Sequence, residues 1–170
     1  MDSLRRLATD LSIPERTLRR AAHEGLIRGE RVSPRRFRTT LREELYLRGQ
    51  WKLLRALRAA FRTEPNVELA ILFGSTATGS DHAGSDVDIL IAAVDQNVGR
   101  VADMADRVSR RVGREVQLVR LADAEASPVL MDEVLTQGRV LVDRKDRWSD
   151  LRDAAATWQR RARRAERARA

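Results

Sequence analysis

An apolar segment, Leu69 to Phe73, runs straight into Gly74-Ser75, and ten residues separate that serine from Asp86-Val87-Asp88-Ile89-Leu90-Ile91. Few folds accommodate both halves. The short apolar run reads as a buried strand. Gly74 has no Cβ, so the backbone there can approach a ligand closely. A helix is expected to begin near Ser75, and its first free N–H groups can face a phosphate. Asp86 and Asp88 alternate with Val87 and Ile89, so a strand points both carboxylates to one face. Such carboxylates repel each other unless a cation lies between them, and Mg²⁺ shared by a carboxylate pair and substrate phosphates is the usual solution. An ordinary hairpin loop accounts for Gly79 to Ser85, which are common turn residues. It does not account for two aspartates inside an otherwise apolar strand.

The 170 residues suffice for one ordinary domain, or for a small domain with a helical appendage. There is no cysteine, which excludes a disulfide framework and a thiolate metal site. The polar start, with Arg5 and Arg6, does not resemble a secretory signal. No apolar run approaches the length of a membrane span. A soluble, cytoplasmic protein with no membrane partner is expected. The net charge of +8 favours a polyanionic partner, either nucleic acid or nucleotide. Most arginines fall in residues 1–62 and 147–170, while the stretch from Glu64 to Asp146 is mildly acidic. This asymmetry suggests a core domain with basic ends.

Leu4, Leu7, Ala8 and Leu11 share one face of a short helix. Ser12 with Glu15 is expected to form a capping box for a second helix, with Pro14 in its first turn and Gly25 closing it. Thr39 or Thr40 should cap a long helix to about Phe61. Its apolar face is expected to carry Leu45, Leu47, Trp51, Leu54, Ala56, Leu57 and Phe61. Trp51 reads there as core. Strands follow at 67–73, 87–93, 115–120 and 140–142, with helices at 98–112 and from Ser127 to about Thr136. Strand–helix alternation of this kind implies a mixed sheet covered by helices. A basic helix ends the chain, and beyond Gln159 it should fray or order only on a partner. The expected divisions are 1–40, 41–63, 64–146 and 147–170.

Residues Ile13 to Arg20, followed by Glu24-Gly25-Leu26-Ile27, resemble the start of MerR-type and related winged-helix DNA-binding domains. The resemblance implies an N-terminal all-α helix-turn-helix module whose second helix presents Arg16, Thr17, Arg19 and Arg20 to the major groove. A small wing over 26–38 would add Arg28, Arg31, Arg35, Arg36 and Arg38 as phosphate contacts. Helix-turn-helix proteins commonly dimerise on pseudo-palindromic sites, so a homodimer is an expectation too.

The stretch from Leu72 to Ile91 resembles the signature of the DNA polymerase β-like nucleotidyltransferase superfamily, and within it the minimal nucleotidyltransferases. The resemblance implies an α/β (α+β) nucleotidyltransferase fold. It makes Asp86 and Asp88 ligands for Mg²⁺ (or Mn²⁺), and Gly74, Ser75 and Thr76 the holders of the NTP phosphates. A third carboxylate on a neighbouring strand, in a pattern like Gly-x-x-Val-Asp-Leu-Val, completes active members. Here the matching stretch is Gly113-Arg114-Glu115-Val116-Gln117-Leu118-Val119. Gln117 takes the aspartate position, and an amide cannot act as a base. Glu115, two residues earlier on the same strand face, is the candidate substitute. Thr78 stands where many relatives have an arginine. His82, in the intervening loop, reads as inert rather than catalytic.

Two functions follow. One is a metal-dependent transferase that moves a nucleoside monophosphate from NTP to a protein or nucleic-acid hydroxyl. Minimal nucleotidyltransferases often serve as antitoxins, so the resemblance also implies a HEPN-type toxin as partner. The other is a DNA-binding regulator with a catalytically degenerate, nucleotide-binding domain.

Overall fold

Helical spacing of Leu4, Leu7 and Ala8 produces α1 (Ser3–Asp10), and all three side chains are buried. Ser12 adopts φ 52° and closes α1, with its N–H bonded to Thr9 and that of Ile13 bonded to Ala8. The serine is spent on ending the first helix, so the expected capping box does not form. Pro14 is the N-cap of α2 (Glu15–His23), and the Glu15 carboxylate pairs instead with Arg19. Gly25, at φ 84°, closes α2 as expected: its N–H bonds to Ala22 and that of Leu26 to Ala21, and Leu26 is fully buried. The computed structural model describes residues 3–33 and 36–169. These fall into two compact units, divided between Arg55 and Ala56.

The first unit continues with an antiparallel pair, β1 (Glu30–Ser33) and β2 (Arg36–Arg38), where a small wing was expected. It then enters α3 (Leu41–Arg62), whose start is capped by Thr40. Glu44, almost fully buried, accepts from Arg6 at 2.6 Å and from Thr39 at 3.2 Å. Buried Glu43 accepts the Arg28 N–H at 2.9 Å. These carboxylates tie α1 and the hairpin root to α3. Trp51 is buried, as its spacing among leucines implies, but Leu45 is not. Leu45 shares a solvent stripe with Arg48 and Lys52 at helical spacing, so it leaves the apolar face on which it was expected.

The second unit is built on β3 (Val67–Phe73), α4 (Gly74–Thr78), β4 (Val87–Ala93), α5 (Val98–Val112) and β5 (Val116–Arg120). Next come α6 (Leu121–Ala124), α7 (Pro128–Gln137), β6 (Arg139–Asp143), α8 (Arg147–Asp153) and α9 (Ala155–Arg169). The sheet runs β5-β4-β3-β6. The pairs β3/β4 and β3/β6 are antiparallel, and β4/β5 is parallel. The parallel pair requires a crossover, which α5 supplies. The result is a mixed sheet covered by helices.

One face of this sheet carries Leu69, Ile71 and Phe73 of β3 with Leu90 and Ala92 of β4, packed with Ala124, Met131 and Val134. Trp148, Leu151 and Trp158 close over the same cluster. The basic C-terminal segment is two helices meeting at Ala154 rather than one. It stays helical past Gln159, where fraying was expected. Trp158, Ala162 and Ala165 recur at i, i+4 and i+7, and α9 packs against α7. Arg160, Arg161, Arg163, Arg164 and Arg167 of α9 are exposed. Among the described residues no helix is long and apolar enough to cross a membrane.

Candidate active site

Antiparallel pairing sets Phe73, the last residue of β3, opposite Asp88. The chain then turns through Gly74 at φ 70° into α4. A Cβ at position 74 would lie 2.6 Å from Asp88 Oδ2. The carboxylate of Asp88 therefore occupies the space that any side chain at 74 would need. The positive φ favours glycine, and a side chain at 74 would have to displace the Asp88 carboxylate. Gly74→Ala should cost about 1–3 kcal/mol of stability and push Asp88 out of register, which unfolding curves and cation titrations would detect.

Asp86 immediately precedes β4, and Asp88 is its second residue. Both are half-exposed, while Val87 between them is fully buried. The pair sits at the end of the apolar face, where the run Phe73, Leu90, Ala92 gives way to carboxylates. Burial raises the pKa of Asp88 above the ordinary carboxylate value, and the charge of Asp86 raises it further. No hydrogen-bond donor reaches the Asp88 carboxylate among the described residues.

In the parallel pair, Gln117 lies opposite Asp88. Its Nε2 donates to Asp86 Oδ2 at 2.5 Å. The amide thus stands against the pair at the strand position where a third carboxylate was sought. Glu115 is exposed and precedes β5 by one residue, and among the described residues only its backbone is engaged, accepting the Val87 N–H at 2.9 Å. Among the described residues no three acidic or histidine side chains gather closely enough to hold a metal ion. The structure brings Gln117 to the aspartates and leaves Glu115 aside.

The α4 turn is held from below. Thr78 Oγ1 donates to Ser75 O at 3.0 Å, and the Gly79 N–H bonds to the same carbonyl. Thr76 is buried, and its hydroxyl reaches the Asp86 carbonyl at 3.4 Å, so only its backbone is available to a ligand. Arg139, buried at the start of β6, donates from Nε to Ala77 O at 2.8 Å. Nothing in the sequence singled out Arg139; an arginine opening an apolar strand was the one available signal. His82 accepts the Gly84 N–H within the loop and touches neither aspartate.

The candidate DNA-contacting residues lie in the first unit. Arg16 and Thr17 are exposed on α2. Arg19 and Arg20 are engaged along the same helix, with Glu15 at 2.5 Å and Glu24 at 2.8 Å. Arg36 is exposed on β2, and Arg35 lies outside the described residues.

A family model described as "Polymerase beta, Nucleotidyltransferase" matches residues 55–147, more than half of the chain. The chain belongs to the polymerase beta nucleotidyltransferase family. The matched span contains every element that positions Asp86 and Asp88. The protein adenylyltransferase MntA of Shewanella oneidensis is 38% identical over 79 residues, which are 45% of this chain and 55% of that protein. The chain thus spans about half the length of this curated relative. Among solved structures, a toxin–antitoxin with AMP-PNP superposes with a TM-score of 0.52 at 28% identity, covering 70% of this chain and 93% of that one. A mutant of the MntA–HpeT toxin–antitoxin gives 0.52 at 26% identity over the same shares. Nucleotidyltransferases of this family generally use divalent metal ions. The donors here fit such an ion. Two partly exposed carboxylates share one strand face, and the unpartnered Asp88 carboxyl has a pKa raised by burial and further by its neighbour's charge.

Proposed function

We propose that this chain transfers a nucleoside monophosphate from NTP to a hydroxyl of a protein partner, as the antitoxin component of a toxin–antitoxin pair. The observation that carries this is the Asp86–Asp88 pair set against Gly74, in a domain of the nucleotidyltransferase family. Its relatives favour an adenylyl group and a toxin protein as acceptor, because MntA is a protein adenylyltransferase and the superposed structures are toxin–antitoxins. Asp86 and Asp88 would hold Mg²⁺ or Mn²⁺. Bound there, such an ion orients the attacking oxygen and screens the charge that develops on the leaving pyrophosphate.

The residues of the chain supply the rest. Gly74 and the N–H groups of the α4 turn give phosphate oxygens a close backbone approach. The acceptor oxygen attacks the α-phosphorus, an O–P bond forms, and the bond to the pyrophosphate bridging oxygen breaks. Gln117 cannot take the acceptor proton. The proton therefore passes to solvent.

One observation favours a second reading. The amide of Gln117 is engaged with Asp86 where active relatives have a carboxylate. In this reading the domain binds nucleotide without turning it over, and α2 carries the function by binding DNA, as a homodimer on paired half-sites. The ion pair of Arg20 is open to solvent and that of Arg19 partly so, and such pairs cost little to exchange for phosphate contacts.

One experiment separates the two. The purified chain is mixed with each labelled NTP and Mg²⁺ or Mn²⁺, with and without the HEPN-type protein encoded beside it, and next to an Asp86→Ala/Asp88→Ala control. Metal-dependent label on the partner, lost in the control, is the expected result. Metal-dependent nucleotide binding with no label transferred, together with a DNA shift weakened by replacing Arg16, Arg19 and Arg20, would establish the second reading instead.

A further inference from the structure

We propose that Arg114 positions Asp86: its guanidinium fastens the loop between α4 and β4 so that the Asp86 carboxylate is presented beside Asp88. The proposal rests on reading these two aspartates as the cation-holding pair.

Residues 79–86 connect α4 to β4 without regular structure. Their tip is shaped from within. The Ser85 N–H bonds to His82 O, the His82 N–H to Ser85 Oγ, and the Gly84 N–H to His82 Nδ1. None of these bonds fastens the tip to the sheet. Arg114 does. Nη1 donates to Asp81 Oδ2 at 3.0 Å, and Nη2 donates to the carbonyl of Ser85 at 2.8 Å. One planar fork thus grips the loop near its start and again at the residue immediately before Asp86.

The root of the fork is itself fixed. Gly113 closes α5 in the left-handed conformation, and Glu115 on the other side receives the Val87 N–H into its carbonyl. Arg114 therefore links the β5 end of the parallel pair to the loop that feeds β4. The Asp81 side chain is 7% exposed and that of Arg114 is 23% exposed. Solvent screens this pair far less than it screens an ordinary surface pair. Gln117 donates a hydrogen bond to the Asp86 carboxylate, and Arg114 fixes the backbone from which that carboxylate projects. Arg114 touches neither carboxylate of the pair, so it is a positioning residue. A lysine keeps the charge but cannot span both acceptors with a planar fork.

The test is Mn²⁺ binding without turnover, read from the free-ion signal by electron paramagnetic resonance well below the unfolding temperature. Arg114→Lys should weaken Mn²⁺ by about tenfold, the low end for losing a residue that orients a ligand. Transfer at saturating Mn²⁺ should stay within about threefold of the parent, since the ligands themselves remain. Asp81→Asn keeps the Ser85 contact and should show a smaller effect of the same sign. It also serves if Arg114→Lys folds poorly.

Asp86→Asn is the reference. If it loses Mn²⁺ while Arg114→Lys and Asp81→Asn bind as the parent does, the positioning role is overturned and Arg114 is only structural. If Asp86→Asn itself binds Mn²⁺ as the parent does, the cation-holding reading fails. If both variants weaken binding and adding Asp86→Asn to Arg114→Lys brings no further loss beyond that of Asp86→Asn alone, Arg114 acts through Asp86.

Discussion

Asp88→Asn is expected to reduce nucleotidyl transfer by about 10³-fold, since an ion held by both aspartates contributes several kcal/mol of charge stabilisation to the transition state and each 1.36 kcal/mol is tenfold in rate. The same substitution should stabilise the metal-free protein. Burial, and secondly the charge of Asp86, raise the pKa of Asp88 in the folded state. A carboxyl whose folded pKa lies above its unfolded value contributes stability while protonated. That contribution is complete below the ordinary carboxylate range and is lost as pH rises through the raised folded value. At neutral pH the ionised Asp88 therefore counts against folding, and asparagine removes the liability.

The gain should stay below about 1 kcal/mol, because the carboxylate is only partly buried and solvent still screens it. Calorimetry in EDTA should show the variant melting above the parent at about pH 7, with the two curves merging below about pH 3, where both side chains are neutral. Saturating Mg²⁺ should reverse the order, because only the parent gains stability from the bound ion. A variant that melts below the parent in EDTA at neutral pH would show that Asp88 holds the fold together, contrary to this account.

The features that read correctly from sequence are those whose cause is local. Gly74-Ser75 and Asp86-x-Asp88 sit next to the strands that carry them, so period-2 alternation alone places both carboxylates on one face. Gly25 ends α2 through a left-handed turn that a neighbouring motif announces. What could not be read depends on partners distant in the chain. The bond from Gln117 to Asp86 exists because β4 and β5 pair in parallel in one particular register, and nothing within either strand states that register. Arg139 and Arg114 act through long side chains on carbonyls that lie 62 and 29 residues away. Ser12 misled because one residue can serve the end of one helix or the start of the next, and the Thr9 and Ala8 carbonyls decide between them. Leu45 misled for a related reason. The apolar face of α3 is set by what packs against it, and the stripe that Leu45 shares with Arg48 and Lys52 is exposed, its Arg48 held by Asp10 rather than by apolar packing.

Gln117→Asp is expected to raise turnover by about 10²-fold, the low end of what a positioned general base contributes. Position 117 lies opposite Asp88, and its side chain already meets Asp86. A carboxylate there would complete a trio around the cation and accept the acceptor proton, which the amide cannot do. Its cost falls on the metal-free state. Gln117 now donates a hydrogen bond to Asp86, and aspartate would replace that donor with a third negative charge. The variant should therefore melt below the parent in EDTA and recover with Mg²⁺, while its Mg²⁺ dependence shifts to lower concentration. Glu115→Gln isolates the position: Glu115 is exposed and stands apart from the pair, so removing its charge from the parent should change turnover by less than about threefold, as expected of a surface site. Rates measured across Mg²⁺ concentrations decide the matter. If Gln117→Asp lowers turnover at every concentration, the amide is a working part of the site, holding Asp86 in the orientation that binding requires. If turnover rises only in Gln117→Asp, the missing carboxylate is what limits this chain, and the scaffold around it is already competent.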